Sequence, residues 1–234
     1  MKRRIEDGAR SMGIALPASA AEKMAAFHRM LTLANERMNL TAIVEPERAV
    51  GLHYLDSLAP LRFGLVGEGV SLIDLGTGAG FPGVPLLLAR PSLRVTLADS
   101  LKKRLLFIEN ALKELGLEAE LVHARAEDLG QNPQYRERFD LACARAVASG
   151  PTLLEYLLPL VRLGGKAVCW KGPSLEGERI EGAARVLGGV AQEPRGYEIP
   201  GFCLGHRLLV CQKQAITPAK YPRKAGIPAK NPLE

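Results

Sequence analysis

The 234-residue chain is poor in aromatic residues, which make up 5% of it with a single tryptophan, and it has only four cysteines. Cys143, Cys169, Cys203 and Cys211 lie 26, 34 and 8 residues apart, with no C-x-x-C pair. That spacing excludes a zinc ribbon and the dense disulfide framework of a small secreted scaffold, and it fits reduced cytosolic thiols. Cys143 and Cys169 sit in apolar runs, where a free cysteine serves as a small buried hydrophobe. No stretch approaches the roughly 18 uncharged apolar residues that a membrane helix needs, since even the run 84–89 is closed by Gly83 and Arg90. The basic start Lys2-Arg3-Arg4 does not read as a secretory leader, because Glu6 and Asp7 break it and Pro17 interrupts the short apolar stretch that follows. A cytoplasmic protein without a membrane or metal site is expected. Internal repeats and low-complexity segments are also lacking.

Hydrophobic residues make up 47% and charged residues 24%, a globular balance that excludes wholesale disorder. The length suits one full-sized domain with an appendage. Net charge is +6, and most of the excess falls after residue 212, where Lys213, Lys220, Arg223, Lys224 and Lys230 face only Glu234. Pro218, Pro222, Pro228 and Pro232 make this tail extended rather than helical, a reachable cationic strap for a polyanion. A merely solubilising tail is the plainer alternative.

An opening helix is signalled by Pro17, by Ser19 and Glu22 at capping-box spacing, and by Met24, Phe27, Leu31, Ala34 and Met38 at helical intervals. A second helix starting at Pro46 puts His53, Asp56 and Ser57 on neighbouring positions of one face. From residue 70 the pattern changes to short apolar runs at 70–75, 94–98, 120–123, 139–144 and 166–170, which read as strands. Helical stretches 101–115, 152–163 and 175–187 alternate with them, each stopped by glycine at Gly116, Gly164-Gly165 or Gly188-Gly189. Segments 197–199 and 206–213, joined through Pro200-Gly201, read as a closing β-hairpin. The expected fold is α/β: a doubly wound, Rossmann-like, mostly parallel sheet. The expected organisation is a helical cap at 1–66, a cofactor-binding domain at 67–214 and the basic tail at 215–234.

The first strand ends in Asp74-Leu75-Gly76-Thr77-Gly78-Ala79-Gly80-Phe81-Pro82-Gly83. Glycines let a backbone take positive φ and approach a ligand closely, and in an open α/β sheet ligands bind at the carboxyl ends of the strands. Gly78, Gly80 and Gly83 spell G-x-G-x-x-G, so a dinucleotide oxidoreductase is a rival reading. The flanking acid favours another cofactor: Asp74, two residues before Gly76, suits the ammonium group of S-adenosylmethionine, a cationic ligand, better than a pyrophosphate. Asp99, followed by Ser100 at the end of the second strand, can accept hydrogen bonds from ribose hydroxyls with either cofactor. Ala126 and Glu127 follow the third strand, where an adenine edge would sit. Arg145 ends the fourth, directly after an apolar run, where an arginine has to pair or point into a cleft.

Taken in order, Asn39-Leu40-Thr41, His53-x-x-Asp56-Ser57, the loop 74–83, Asp99-Ser100 with Lys103-Arg104, Ala126-Glu127, Arg145-Ala146, Lys171-Gly172 and the tail Tyr221-Pro222-Arg223-Lys224-x-Gly226-x-Pro228 form one combination. Over almost the whole chain this combination resembles the bacterial 16S rRNA guanine-N7 methyltransferases, also called glucose-inhibited division protein B or small-subunit rRNA methyltransferase G. The resemblance implies a class I methyltransferase sheet, with S-adenosylmethionine bound by Gly76, Gly78, Phe81, Ala126, Glu127 and Arg145. It also implies 16S rRNA, in the helix-18 loop of the small ribosomal subunit, as substrate. Guanine N7 carries a lone pair and no proton, so an in-line displacement there needs no general base. None is evident, and neither the D/N-P-P-Y segment of amino methylation nor the Pro-Cys motif of pyrimidine C5 chemistry is present. Arg145, Asn39, His53 and Lys171 are the candidates to touch the guanine or adjacent phosphates, and Lys220, Arg223 and Lys224 to hold RNA. A monomer that binds neither DNA nor membrane is expected. A non-catalytic assembly factor is the third reading, disfavoured by the intact glycine loop.

Overall fold

Hydrophobic periodicity sets the elements of this chain and their ends. The computed structural model describes residues 1–145, 148–172, 179–202 and 205–234. In chain order the elements are α1 (Lys2–Ser11), α2 (Ala20–Met38), α3 (Pro46–Ala49), a π-helical stretch (Val50–Leu55), α4 (Asp56–Arg62), β1 (Ser71–Leu75), α5 (Gly83–Ala89), β2 (Arg94–Asp99), α6 (Lys102–Leu115) and β3 (Glu120–His123). They continue with α7 (Ala126–Gln131), β4 (Phe139–Arg145), α8 (Gly150–Leu157), β5 (Val161–Lys171), α9 (Ile180–Val186), β6 (Gly189–Ala191), β7 (Arg195–Gly196), β8 (Arg207–Lys213) and α10 (Ile227–Lys230). The class is α/β with a mixed, mostly parallel sheet: β1 with β4, β2 with β3 and β4 with β5 are parallel, while β8 runs antiparallel to β5, β6 and β7. No helix among the described residues is long and apolar enough to cross a membrane.

The chain forms two compact units. One comprises Met1–Val70, Thr77–His123 and Glu198–Leu204. Its core gathers Met24, Phe27 and Leu31 of α2, Tyr54 and Leu58, Val84 and Leu86 of α5, and Ile108 of α6, all at most 1% exposed. In α6, Leu105, Ile108, Ala111, Leu112 and Leu115 form one buried stripe, and the helix ends where Gly116 turns left-handed at φ 61°. Helix α1 went unread in the sequence, although Ile5, Gly8, Ala9 and Met12 bury one face at helical spacing. The capping box expected at α2 does not form: Ser19 stands at the N-cap, but in a helical conformation and without a side-chain bond. The helix from Pro46 exists but winds as a π-helix over residues 50–55, a widened turn. Across it, the Ser57 hydroxyl donates to the His53 carbonyl.

The other unit comprises Ser71–Gly76, Ala124–Tyr197 and Gly205–Glu234. Its strands lie in the order β1-β4-β5-β8-β6, with β7 also on β8. Ile73, Ala142, Cys143, Ala167, Val168, Cys169 and Val210 are fully buried, the continuous apolar run of strands covered on both faces. Cys203 falls outside the described residues, while Cys143, Cys169 and Cys211 are free and buried. The expected helix 152–163 stops at Leu157, because residues 161–163 belong to β5. Gly164-Gly165 is therefore no helix stop. It sits where the β4–β5 register shifts, Gly164 has φ 77°, and a Cβ on Gly165 would lie 2.7 Å from the Asp140 carbonyl oxygen. The partner of β8 in the closing hairpin is residues 195–196 rather than 197–199, and β6 adds a further antiparallel strand. Of the expected helix 175–187, residues 180–186 are helical and 175–178 fall outside the described residues.

Asp140 ties β4 to the start of β1: it accepts from the Ser71 amide at 2.8 Å and hydroxyl at 2.6 Å, and from Arg162 Nε at 2.5 Å. Burial alone would raise its pKa, but these Ser71 hydrogen bonds and the Arg162 guanidinium outweigh it and hold the carboxyl down at about 2. A depressed acid stabilises the fold above its unfolded pKa, and that contribution is lost as pH falls through the folded value. Asp140→Asn should therefore be less stable by about 2 kcal/mol at pH 7. In denaturant titrations this deficit should shrink as the pH is lowered from about 4 towards 2; a deficit independent of pH would contradict this role.

Candidate functional site

The glycine-rich turn is built from backbone geometry. Gly76, Gly78 and Gly80 have φ of 70°, 60° and 98°, the left-handed region. At Gly80 space is short as well, since a Cβ would lie 2.9 Å from Val84 Cγ2 and 3.1 Å from Phe27 Cζ. The turn's amides point inward. The Thr77 N–H donates to the Ala98 carbonyl at 3.0 Å, Gly78 N–H to Asp99 Oδ2 at 2.9 Å, and the Gly80 and Phe81 N–H groups to the Thr77 carbonyl at 2.9 Å. A phosphate cradle would instead aim such amides at its ligand.

Asp99 is 2% exposed and accepts two further bonds, from the Leu101 N–H at 2.8 Å and from Arg104 at 3.3 Å. A carboxylate offers about four acceptor positions, so three are in use and one remains. In the β2–β3 register Asp99 stands opposite His123, whose Nε2 is 3.0 Å from the carbonyl oxygen of the exposed Ser100.

Phe81 is buried under an aromatic cluster. His53 stacks on its ring at 4.4 Å and 14°, while Tyr54 and Phe27 meet it edge-on at 5.4 and 5.8 Å. His53 is 7% exposed, with its Nε2 hydrogen-bonded to Thr41 Oγ1 at 2.9 Å. Asn39, exposed and left-handed at φ 50°, ends α2. Beside it Asn35 Oδ1 accepts from the Leu40 and Thr41 amides, and Lys103 Nζ donates to the Met38 carbonyl at 3.3 Å. Thr41, Lys103 and Arg104 thus brace residues that the sequence had singled out.

In the other unit, β1, β4 and β5 are parallel, so their carboxyl ends bring Asp74, Arg145 and Lys171 to one edge. Asp74 is fully buried in register with Cys143. Burial first, and then the Asp74 charge, pushes the Cys143 thiol up. Arg145 is half-buried opposite Trp170, and Lys171 Nζ donates to the Ala148 carbonyl at 3.4 Å. Ala126 and Glu127 open α7. Glu127 is 7% exposed and accepts the Gly226 N–H at 2.9 Å. It also bonds the Tyr156 hydroxyl, whose pKa is pushed up to about 12 by burial and by this carboxylate.

The tail is not a free strap. Arg223 forks onto Glu155, which has 0% exposure, with Nη2 at 2.6 Å and Nε at 2.9 Å, and its own amide donates there too. Lys213 is buried on Glu137 at 3.1 Å, and Ile227–Lys230 is helical because Pro228 falls in the first turn, where its missing N–H costs nothing. The reason is the acids buried in this unit: Glu155 is paired with Arg223, and Glu127 accepts the Gly226 N–H as well as the Tyr156 hydroxyl. Lys220 and Lys224 remain exposed. Glu155, Tyr156 and Arg136 went unmarked in the sequence because nothing local distinguishes them.

A family model for rRNA small subunit methyltransferase G matches residues 20–190. A ribosomal RNA small subunit methyltransferase G from Alkaliphilus metalliredigens is 43% identical, covering 98% of each chain. Among solved structures, a methyltransferase from Pyrococcus furiosus superposes with TM-score 0.56 at 14% identity, over 83% of this chain and all of that one. An O-methyltransferase from Thermotoga maritima gives TM-score 0.51 at 14% identity, over 80% and 72%. Both structures agree with this fold.

Gly80→Ala should destabilise the protein by about 1–2 kcal/mol, from left-handed strain plus the Val84 contact. Thermal unfolding should show a drop of a few degrees; an unchanged midpoint would contradict the tightness of this turn.

Proposed function

Because the chain belongs to the rRNA small subunit methyltransferase G family, we propose that it methylates N7 of a guanine in the helix-18 loop of 16S rRNA, with S-adenosylmethionine as donor. The observation that carries the choice of cofactor is the inward-turned loop. With amides 77, 78, 80 and 81 satisfied internally, the turn has little to offer a pyrophosphate, whereas a buried acid at Asp74 suits a cation. When bound, S-adenosylmethionine supplies a methyl group made electrophilic by its sulfonium.

Each residue has a proposed part. Asp74 receives the ammonium group, and Gly76, Gly78 and Gly80 leave the backbone bare for close approach. Phe81 contributes an apolar wall held by His53. Asp99, through its one remaining acceptor position, and Ser100 take ribose hydroxyls, while Ala126 and Glu127 border the adenine. N7 has no proton to lose, so no residue acts as base. Arg145, with Asn39, His53 and Lys171, serves by positioning and electrostatics around the guanine and its phosphates. N7 faces the deep, narrow major groove of A-form RNA, so the target base has to be unpaired. Lys220 and Lys224, which are exposed, meet RNA phosphates in this reading, whereas Arg223 is committed to Glu155. The protein acts as a monomer on the small ribosomal subunit or its 16S rRNA.

In thermal-shift titrations S-adenosylmethionine should raise the unfolding midpoint and NAD should not; the opposite pattern would favour the oxidoreductase. Arg145→Ala should keep its folded midpoint and lose roughly ten- to a hundredfold in methyl transfer to 30S subunits. Undiminished transfer would remove Arg145 from the site.

A further inference from the structure

The tail residues 221–228 do more than close the fold. Along α7 they touch the helix at three successive points. At its start, the Gly226 N–H donates to Glu127 Oε1 at 2.9 Å. In its middle, the Pro222 ring packs on Gly130 so closely that a Cβ there would lie 2.6 Å from Pro222 Cγ. At its end, Gln131 Nε2 donates to the Pro222 carbonyl at 2.9 Å and the Ala219 carbonyl at 3.1 Å. Helix α7 has only six residues, too short to hold its own position by helical propensity.

The tail is itself fixed from α8 and from the residues after α7. Glu155 takes the Arg223 fork, Thr152 Oγ1 donates to the Pro228 carbonyl at 3.1 Å, and Arg136 donates to the Tyr221 carbonyl at 2.8 Å and the Gly130 carbonyl at 2.6 Å. The Glu127 carboxylate is consequently held between one donor from the tail, Gly226, and one from α8, Tyr156.

We propose that Tyr221–Pro228 is a clamp whose Arg223, Gly226 and Pro222, together with Tyr156, are positioning residues for Ala126-Glu127, so that the C-terminal tail sets affinity for the methyl donor. This rests on the reading of Ala126-Glu127 as part of the S-adenosylmethionine site. It gives the basic tail motif a role distinct from holding RNA. Cofactor affinity then depends on tail residues up to 99 positions further along the chain, and on Tyr156 of α8, acting through Ala126-Glu127.

The test compares full-length wild type, Tyr156→Phe, Arg223→Ala and Arg223→Lys. Tyr156→Phe removes one hydroxyl and little volume, so it keeps the test valid if Arg223→Ala, which strands a buried glutamate, fails to fold. The readouts are S-adenosylmethionine affinity by calorimetry, KM for donor and for 30S subunits, and kcat. The clamp predicts that Tyr156→Phe weakens donor binding roughly tenfold, the loss of one hydrogen bond to a charged group. Donor KM should rise with it, while kcat at saturation and KM for 30S subunits change less than about threefold. Folded Arg223→Ala should show the same split and Arg223→Lys should recover part of it. Unchanged donor affinity in folded Tyr156→Phe, or a loss confined to 30S binding, would overturn the clamp. Wild-type protein that binds no S-adenosylmethionine would overturn the functional reading itself, and the clamp with it.

Discussion

The carboxylate of Asp99 is the interaction on which the glycine-rich turn depends. Three N–H donors converge on it, from Gly78, Leu101 and Arg104, at a side chain 2% exposed. A buried carboxylate without such partners would cost several kcal/mol; with them it holds the turn to the first turn of α6 and turns the Gly78 amide inward, while the amides of residues 77, 80 and 81 close on the Ala98 and Thr77 carbonyls. A spelling shared by nucleotide-binding loops of many kinds thus keeps amides 77, 78, 80 and 81 for the protein's own acceptors rather than for a phosphate.

Buried acids in the other unit impose a second constraint. Glu155 and Glu127 are 0% and 7% exposed, and both find donors in the last fourteen residues of the chain. Removing one partner of a buried pair typically costs 3–5 kcal/mol, so the tail belongs to the folded unit and is no appendage. Side-chain hydrogen bonding to Glu155 raises the already high Arg223 pKa, while burial lowers that of Lys213 on Glu137. The cationic excess that looked available to a polyanion is thereby divided. Arg223 and Lys213 are spent inside the protein, and Lys220 and Lys224 stay in solvent.

Much of the fold was legible because its signals are local. Four of the five apolar runs gave strands within a residue or so of their ends, as at Glu120–His123, whereas β5 begins at Val161 rather than 166; Gly116 stopped α6 as its position suggested. The errors fall where one local signal has two physical outcomes. Gly164-Gly165 can end a helix or ease a bulge, and the choice depends on the strand β4 alongside. Ser19 and Glu22 have capping spacing, but Ser19 adopts helical angles and its hydroxyl never reaches the cap. Pro-rich sequence near the terminus disfavours helix inside an element, yet Pro228 in a first turn permits one. The glycine loop, Asp99 and Arg145 could be picked out as chemistry from their place at strand ends. Tyr156 and Glu155 could not, because their significance lies in distant partners, Glu127 for the one and Arg223, 68 residues away, for the other.

The central claim, transfer of a methyl group from S-adenosylmethionine to guanine N7 of small-subunit rRNA, is tested most directly by one incubation. Purified protein, methyl-labelled S-adenosylmethionine and unmodified 30S subunits or their 16S rRNA would be combined, and the RNA digested to nucleosides. The account predicts label in 7-methylguanosine. Label in any other nucleoside, or no transfer to either form of the RNA despite measurable cofactor binding, would contradict it.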